Sequence, residues 1–354
     1  MTDNIYQKLA EHLDTLPQRF PTNTGTGLEL KVLQHIFSPV EAQMAIQLRP
    51  MPETAASIAE RLGKDPVETE AFLLEMSKKG QIMRVGKSGA QKFMAAPFMV
   101  GIMEFQINRF TKEMIEDLEA FEPILMEHTW MKGKTRELRT IPIDKTVPNN
   151  TEVMPYESAE AIIKSNKQIS VADCMCRKIN DVKGEPCGRP MEVCLQFGGA
   201  THFYVENGLG RRIDQDEALA LLKKGIESSL VIQAGSAQNP GGMCMCCGCC
   251  CKPLTTYKKT DKPARYANSN YFAVVNEDAC TACGICESRC QMDAITVDEY
   301  SQVDLDRCIG CGLCVVTCDF DAIKLQKKDE AHQWVPQADY MTAIMDIYKE
   351  RREG

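Results

Sequence analysis

The chain has 354 residues, 25% of them charged and 44% apolar, with 41 Lys and Arg against 49 Asp and Glu for a formal net charge of −8. That length supports several domains with a sizeable core, and the acidic balance disfavours bulk attraction to nucleic acid or to an anionic membrane. No apolar run reaches the roughly 18 residues of a membrane span, and the start MTDNIYQKLAEHLDTL lacks the basic and apolar regions of a secretory signal, so a cytoplasmic protein is expected, in which 18 cysteines stay reduced and available to metal.

In chain order, Ile5, Leu9, Leu13 and Leu16 fall on one stripe and predict a helix over 4–16, broken by the Pro- and Gly-containing stretch 17–27. A second helix is expected over 28–37. Ser38-Pro39-Val40-Glu41 is a capping box with Pro at the first helical position, opening a helix to about Leu48. Residues 54–62 read as a short helix ended by Gly63. Asp65-Pro66-Val67-Glu68 caps another, which runs to Lys79 and ends at Gly80. Strands are expected over 81–85 and 91–94, around Gly86-Lys87-Ser88-Gly89.

That succession over 38–96 resembles a winged helix-turn-helix domain. The resemblance raises DNA binding, and the charges argue against it. The would-be recognition helix carries Asp65, Glu68, Glu70 and Glu75 against Lys78 and Lys79, and the wing offers only Arg84, Lys87 and Lys92. A helix entering the major groove faces dense phosphate charge. A protein-contact or structural role is expected instead.

Residues 98–130 read as largely helical, with Ile107, Phe110, Met114, Ile115, Leu118 and Phe121 on the buried side. Residues 133–156 read as an ordered connector, with a domain boundary between 150 and 151. A short helix over 157–164, a strand over 168–172, a helix from Asp214 to about Lys224 and a buried strand over 230–233 follow. Residues 253–269 read as a basic linker, solvated or serving as a docking patch for an acidic redox partner. A terminal helix over 337–352 is expected to turn Tyr340, Ile344, Ile347 and Tyr348 inward.

The cysteines carry the chemistry. Residues 280–318 hold two copies of Cys-x2-Cys-x2-Cys-x3-Cys: Cys280, Cys283, Cys286 and Cys290, then Cys308, Cys311, Cys314 and Cys318. Matched cysteines lie 28 positions apart, and the match extends to Asp293-Ala294-Ile295 and Asp321-Ala322-Ile323, so the stretch is an internal duplication. A disulfide framework does not require such a repeat, and zinc sites seldom use three evenly spaced cysteines plus a fourth.

The stretch 270–327 resembles a bacterial-type 2[4Fe-4S] ferredoxin. The resemblance implies two [4Fe-4S] clusters and single-electron transfer to or from a partner oxidoreductase. It implies that Cys280, Cys283, Cys286 and Cys318 hold one cluster and that Cys308, Cys311, Cys314 and Cys290 hold the other. Gly284 and Gly312 fall where the backbone must pass close to inorganic sulfide. The Pro that this family usually places after the fourth cysteine is replaced by Gln291 and Asp319. That departure touches the local turn and its hydrogen bonds, not the ligation.

The remaining cysteines are Cys174, Cys176, Cys187 and Cys194 and, packed into one short run, Cys244, Cys246, Cys247, Cys249, Cys250 and Cys251. Neighbours on a strand face opposite ways, so one extended segment cannot aim all of that run at a single metal, whereas a turn at Gly248 would fold some together. Three chemistries fit the set: a third iron-sulfur cluster fed by both segments, zinc or another soft metal, or redox-active thiols without metal. His202 nearby reads as packed or solvated rather than as a ligand.

With Pro97-Phe98-Met99-Val100-Gly101-Ile102, Glu104-Phe105-Gln106, Cys174-Met175-Cys176-Arg177 and the run 244–251, the whole chain resembles 4Fe-4S dicluster-domain proteins of anaerobic bacteria. The expected architecture is α+β and multidomain. N-terminal helices (1–37) and a winged-helix-like domain (38–96) are followed by a helical segment and connector (97–150), a Cys-rich α/β segment (151–252) and the basic linker. A dicluster ferredoxin-type domain (270–327) and a C-terminal helix (328–354) complete it. No dinucleotide or Walker A fingerprint appears, and no catalytic residue is singled out. Two other functions fit the same motifs: an oxidoreductase subunit with a third site in the Cys-rich segment, and a redox-responsive transcriptional regulator.

Overall fold

Residues 2–87, 89–147 and 153–353 are described in the computed structural model. Ser88 of the expected wing turn and the boundary expected at 150/151 lie outside them. Among the described residues no helix is long and apolar enough to cross a membrane.

Helices α1 (Thr2–Thr15), α2 (Leu28–Ile36) and α3 (Pro39–Ala45) come first, and α3 follows its capping box. The Ser38 backbone N–H donates to Glu41 Oε2 at 2.8 Å, and the Glu41 N–H donates to Ser38 Oγ at 3.4 Å. Glu41 is buried, and it also accepts from Lys79 Nζ at 2.7 Å and Gln81 Nε2 at 2.9 Å. Burial alone would raise its carboxyl, but Lys79, the Ser38 N–H and Gln81 outweigh burial and hold it at about 2, against an ordinary 4.5. A depressed carboxyl stabilises the fold above its unfolded value and loses that stabilisation as pH falls towards its folded value. Glu41→Gln is therefore expected to cost about 2 kcal/mol at pH 7, with the same cost at pH 5.5. Urea unfolding of both proteins at the two pH values checks this, and a cost that halves between them would contradict it.

Next come β1 (Glu53–Thr54), α4 (Ala55–Leu62), α5 (Pro66–Lys78), β2 (Met83–Val85) and β3 (Lys92–Met94). The strands pair antiparallel in the order β1-β3-β2. Thr54 caps α4 and Gly63 ends it with φ 64°. Asp65 caps α5 by accepting from the Val67 and Glu68 N–H groups at 2.9 Å. Arg84, counted from sequence among the wing cations, is buried instead and donates to Glu206 Oε2 at 2.9 Å and Asn207 Oδ1 at 3.1 Å.

The helix expected from 98 starts later. Val100 has φ 51° and Gly101 is extended, so 98–102 is an irregular turn rather than helix. A single turn, α6 (Met103–Phe105), precedes α7 (Lys112–His128), whose Met114, Ile115, Leu118, Phe121, Leu125 and Met126 are buried.

The central segment is a sheet with helices packed on it: β4 (Leu138–Ile141), α8 (Ala159–Ser165), β5 (Ile169–Asp173), α9 (Met175–Lys183), β6 (Glu192–Phe197), α10 (Gly199–Glu206), β7 (Gly210–Ile213), α11 (Gln215–Glu227), β8 (Val231–Gly235) and β9 (Gly242–Cys246). The strand order is β4-β8-β9-β6-β5-β7, with every neighbouring pair antiparallel. The expected α/β arrangement is thereby corrected, because α/β folds rest on parallel strands joined by crossover helices. Strand alternation buries Met243 and Met245 in the core and turns Cys244 and Cys246 to the other side.

The stretch expected as a basic linker contains α12 (Lys252–Lys258), which buries Pro253, Leu254 and Tyr257. Its cations are paired within the chain: Lys252 with Glu122, Lys258 with Asp293 at 2.7 Å, and Lys262 beyond it with Asp306 at 2.9 Å. Then follow β10 (Tyr271–Val275), α13 (Ile285–Arg289), β11 (Ile295–Val297), β12 (Ser301–Val303), β13 (Ile323–Lys327) and α14 (Tyr340–Glu353). Tyr340 and Tyr348, expected inward, are 45% and 36% exposed, and among the described side chains of α14 Ala343 is buried. Glu350 anchors that helix by accepting from the Thr135 hydroxyl at 2.6 Å and the Lys134 N–H at 2.8 Å. One continuous cluster of buried side chains runs from Tyr6 to Leu313, through every expected segment up to the ferredoxin-type repeat.

Candidate iron-sulfur and thiolate centres

The duplication at 280–318 is written in the backbone as well as the spacing. Positive φ recurs at matched positions: Ala282 and Gly310 (51° and 63°), Gly284 and Gly312 (76° and 80°), Asp293 and Asp321 (52° and 54°). Two short antiparallel pairs frame the loops, β10 with β13 and β11 with β12. The loops wrap two cavities. One is lined by Cys308, Cys311, Cys314 and Cys290 among Ile309, Leu313 and Leu325. The other is lined by Cys280, Cys283, Cys286 and Cys318, with Cys314 reaching its wall as well. Each cavity thus joins three cysteines of one repeat to the fourth of the other.

Backbone donors point at the sulfurs. The Ala273 N–H lies 3.4 Å from Cys308 Sγ, the Ala294 N–H 3.3 Å from Cys290 Sγ and the Ser301 N–H 3.3 Å from Cys280 Sγ. Ser301 Oγ is 3.0 Å from Cys286 Sγ. The Ser301 N–H holds the Cys280 thiol below its ordinary value, whereas burial pushes Cys311 up to about 12. Four soft donors with inward N–H groups, several of them too buried to ionise alone, form a set that a bound cation would favour. The residues present fit iron-sulfur clusters.

The other cysteines divide in two. Pairing of β6 with β9 sets Cys194 opposite Cys244, with their sulfurs 3.9 Å apart. From there side-chain contacts run through Cys246 to Cys251, then to Cys176 at the start of α9, and on to Cys174. The second group is Cys187, Cys247, Cys249 and Cys250, folded together by the turn at Gly248. Both sequence segments supply both groups, so convergence on a single site does not describe the arrangement.

Arg177 of α9 stands between the groups, touching Cys247 on one side and lying near Cys174 and Cys246 on the other. It is fully buried and donates to the carbonyls of Pro190 at 2.8 Å and Met245 at 3.0 Å. Burial pushes the Cys247 thiol up, but Arg177, Cys249 and the Cys250 N–H together outweigh it and bring Cys247 down to about 7. Contacts with Cys176 and Cys246 bring Cys251 down to about 6. Near Cys244, burial raises Glu104 to about 7, and burial next to Glu104 raises Glu137 to about 8. His202 is remote from this chemistry, its Nε2 lying 3.1 Å from Gln168 Oε1.

Motif reading gave no site role to two residues. Arg177 belongs to a recognised stretch, yet only the fold shows its burial between thiols. Gln291, standing in the place of a ferredoxin proline, is buried and accepts from the Gly248 N–H at 2.9 Å through Oε1. A Cβ on Gly248 would overlap the Gln291 carbonyl. The cysteine-rich loop therefore rests directly on the residue after Cys290. The missing proline was the available signal, because proline has no side-chain amide to offer.

A family model described as a 4Fe-4S binding domain matches residues 273–296 and 301–324. Neither a curated protein nor a solved structure matches the chain. The region near the C-terminus is thus an iron-sulfur, ferredoxin-type domain.

Proposed function

We propose that the chain is an electron-transfer protein carrying two [4Fe-4S] clusters and passing single electrons to or from a partner oxidoreductase. Cys280, Cys283, Cys286 and Cys318 hold one cluster, and Cys308, Cys311, Cys314 and Cys290 hold the other. The observation that carries this reading is the crossed composition of the two cavities, three cysteines from one repeat with the fourth from its twin. Bound there, the clusters would supply one-electron chemistry. The chain's part is to insulate them with Ile309, Leu313, Leu325 and Ile323 and to aim N–H groups at sulfur, which tunes potential.

The route through the molecule follows from exposure. Cys283 is exposed, and Ile285 and Phe320 beside the same cavity are 44% and 54% exposed, an apolar surface suited to a redox partner. The second cavity lies deeper and ends at Cys290, next to Gln291 and the Gly248 loop. Electrons enter or leave at the Cys283 end and reach the central thiols through that contact. The N-terminal helices, with strand order β1-β3-β2, act as a winged-helix-like protein-contact module in the cytoplasm.

A second reading makes the chain an oxidoreductase subunit. It is favoured by the line of thiols that passes through Cys244 near Glu104, a redox group with an acid at hand. The regulator reading is disfavoured by the exposed Glu68, Glu70 and Glu75 of α5 and by the burial of Arg84.

Iron and acid-labile sulfide per chain test the proposal on anaerobically purified protein. About eight or more of each are expected, with at least two one-electron reductions. Colourless protein devoid of sulfide would overturn it. A mobility shift with duplex DNA would transfer the case to the regulator.

A further inference from the structure

Cys187, Cys247, Cys249 and Cys250 bring their sulfurs within 4.8 Å of one another. Cys249 Sγ and Cys250 Sγ are 3.7 Å apart. Thiolates around a single tetrahedral ion at a metal–sulfur distance of about 2.3 Å have edges of about 3.8 Å. Ligands of a cubane stand further apart, because the inorganic core lies between them. Among the described residues no other set of three or more Cys, His, Asp or Glu meets the same closeness, the two ferredoxin-type sets included. The molecule thus holds three kinds of thiol grouping: sulfurs spread around cavities at the C-terminal end, the line from Cys194 to Cys174, and four sulfurs drawn to one point here.

Charge supplies an independent argument. A buried guanidinium is costly without an anion. Among the described residues Arg177 has no carboxylate partner; its buried contacts are two carbonyls and Cys247, with Cys174 and Cys246 nearby, and its Nε has no hydrogen-bond partner. A thiolate is the anion within reach. Asn180 Nδ2 adds a second donor, 3.1 Å from Cys250 Sγ. One cation and one amide directed at these sulfurs suit a tetrathiolate–metal unit, whose net charge with a divalent ion is negative.

We propose that Cys187, Cys247, Cys249 and Cys250 form a mononuclear tetrathiolate site for one soft divalent ion, zinc or iron, separate from the clusters and seated on Gln291. Arg177 and Asn180 position and neutralise it. The site rests on these residues alone and stands whether or not the C-terminal cysteines hold clusters.

The test compares full-length, anaerobically prepared wild type with Cys187→Ser, Cys249→Ser and, as a control, Cys283→Ala. Each of the first two is expected to lose about one equivalent of zinc or of iron without sulfide, while the cluster absorption and low-temperature electron paramagnetic resonance stay as in wild type. The control loses cluster iron and sulfide but keeps that equivalent. X-ray absorption at the edge of the lost metal is expected to give four sulfurs at about 2.3 Å and no metal neighbour. Cys249 is exposed, so its variant folds even where Cys187→Ser does not. Metal content unchanged in Cys249→Ser, or a loss of about four iron together with sulfide, would overturn the proposal. Loss of cluster signals in wild type with the single equivalent retained would count against the electron-transfer reading alone.

Discussion

Cys318→Ala is expected to lose the same cluster as Cys280→Ala, and a different one from Cys308→Ala, although Cys318 and Cys308 belong to one repeat. The reason is geometric. Cys318 lines the cavity of Cys280, Cys283 and Cys286, and Cys290 lines that of Cys308, Cys311 and Cys314. Removing one of four thiolates opens a coordination position and exposes iron to loss, so cluster iron should fall by about four per chain in each variant. The two cavities differ in surroundings. One lies beside exposed Cys283 and Phe320, and the other among Ile309, Leu313 and buried Cys314. Their reduced-state spectra should therefore be separable. Matching residual spectra for Cys318→Ala and Cys308→Ala would mean that each repeat keeps its own fourth cysteine, and the crossed assignment would fail.

Gly248→Ala should be the most damaging single methyl addition in the cysteine-rich loop. The new Cβ would overlap the Gln291 carbonyl, which is backbone and cannot swing aside as a side chain would. Either the loop lifts and breaks the bond from Gly248 N–H to Gln291 Oε1, or the ferredoxin-type segment shifts with Cys290. A cost of about 3 kcal/mol is expected, from overpacking plus a lost buried hydrogen bond. Gly284→Ala is the informative comparison. Its φ of +76° strains any side chain, but nothing lies within 4 Å of its Cβ, so about 1 kcal/mol is expected. Thermal unfolding of both variants under anaerobic conditions gives the order. Equal losses, or a larger loss at Gly284, would show that Gly248 does not bind the two segments together.

Much of the N-terminal third was legible because its signals are local. Ser38, Thr54 and Asp65 cap the helices that follow them, and Gly63 closes one of them. The irregular turn at 98–102 was not legible, because Val100 has no local reason for a left-handed conformation; it is held by the Glu104 carboxylate accepting from Gly101 N–H at 2.9 Å. The strands β6 and β7 were missed for a related reason. They are short, their alternation is weak, and partners lie far along the chain, as with Cys194 opposite Cys244. The basic stretch 253–269 read as solvent-facing because composition counts charges without their partners, and Asp293 and Asp306, which pair with Lys258 and Lys262, are supplied by distant elements.

What the amino-acid order determined by itself is the ferredoxin-type duplication. Its spacing, its glycines and its twin turns are local and repeat at a fixed interval, and local repetition survives without knowledge of the fold. The grouping of the central cysteines was decided by tertiary structure. Cys194 and Cys244 meet only because β6 and β9 are neighbours in one particular register. Cys187 reaches Cys247, Cys249 and Cys250 only because the chain after α9 returns to the Gly248 turn. Contacts between residues so far apart in sequence depend on strand order and register, and no run of neighbouring residues encodes those by itself.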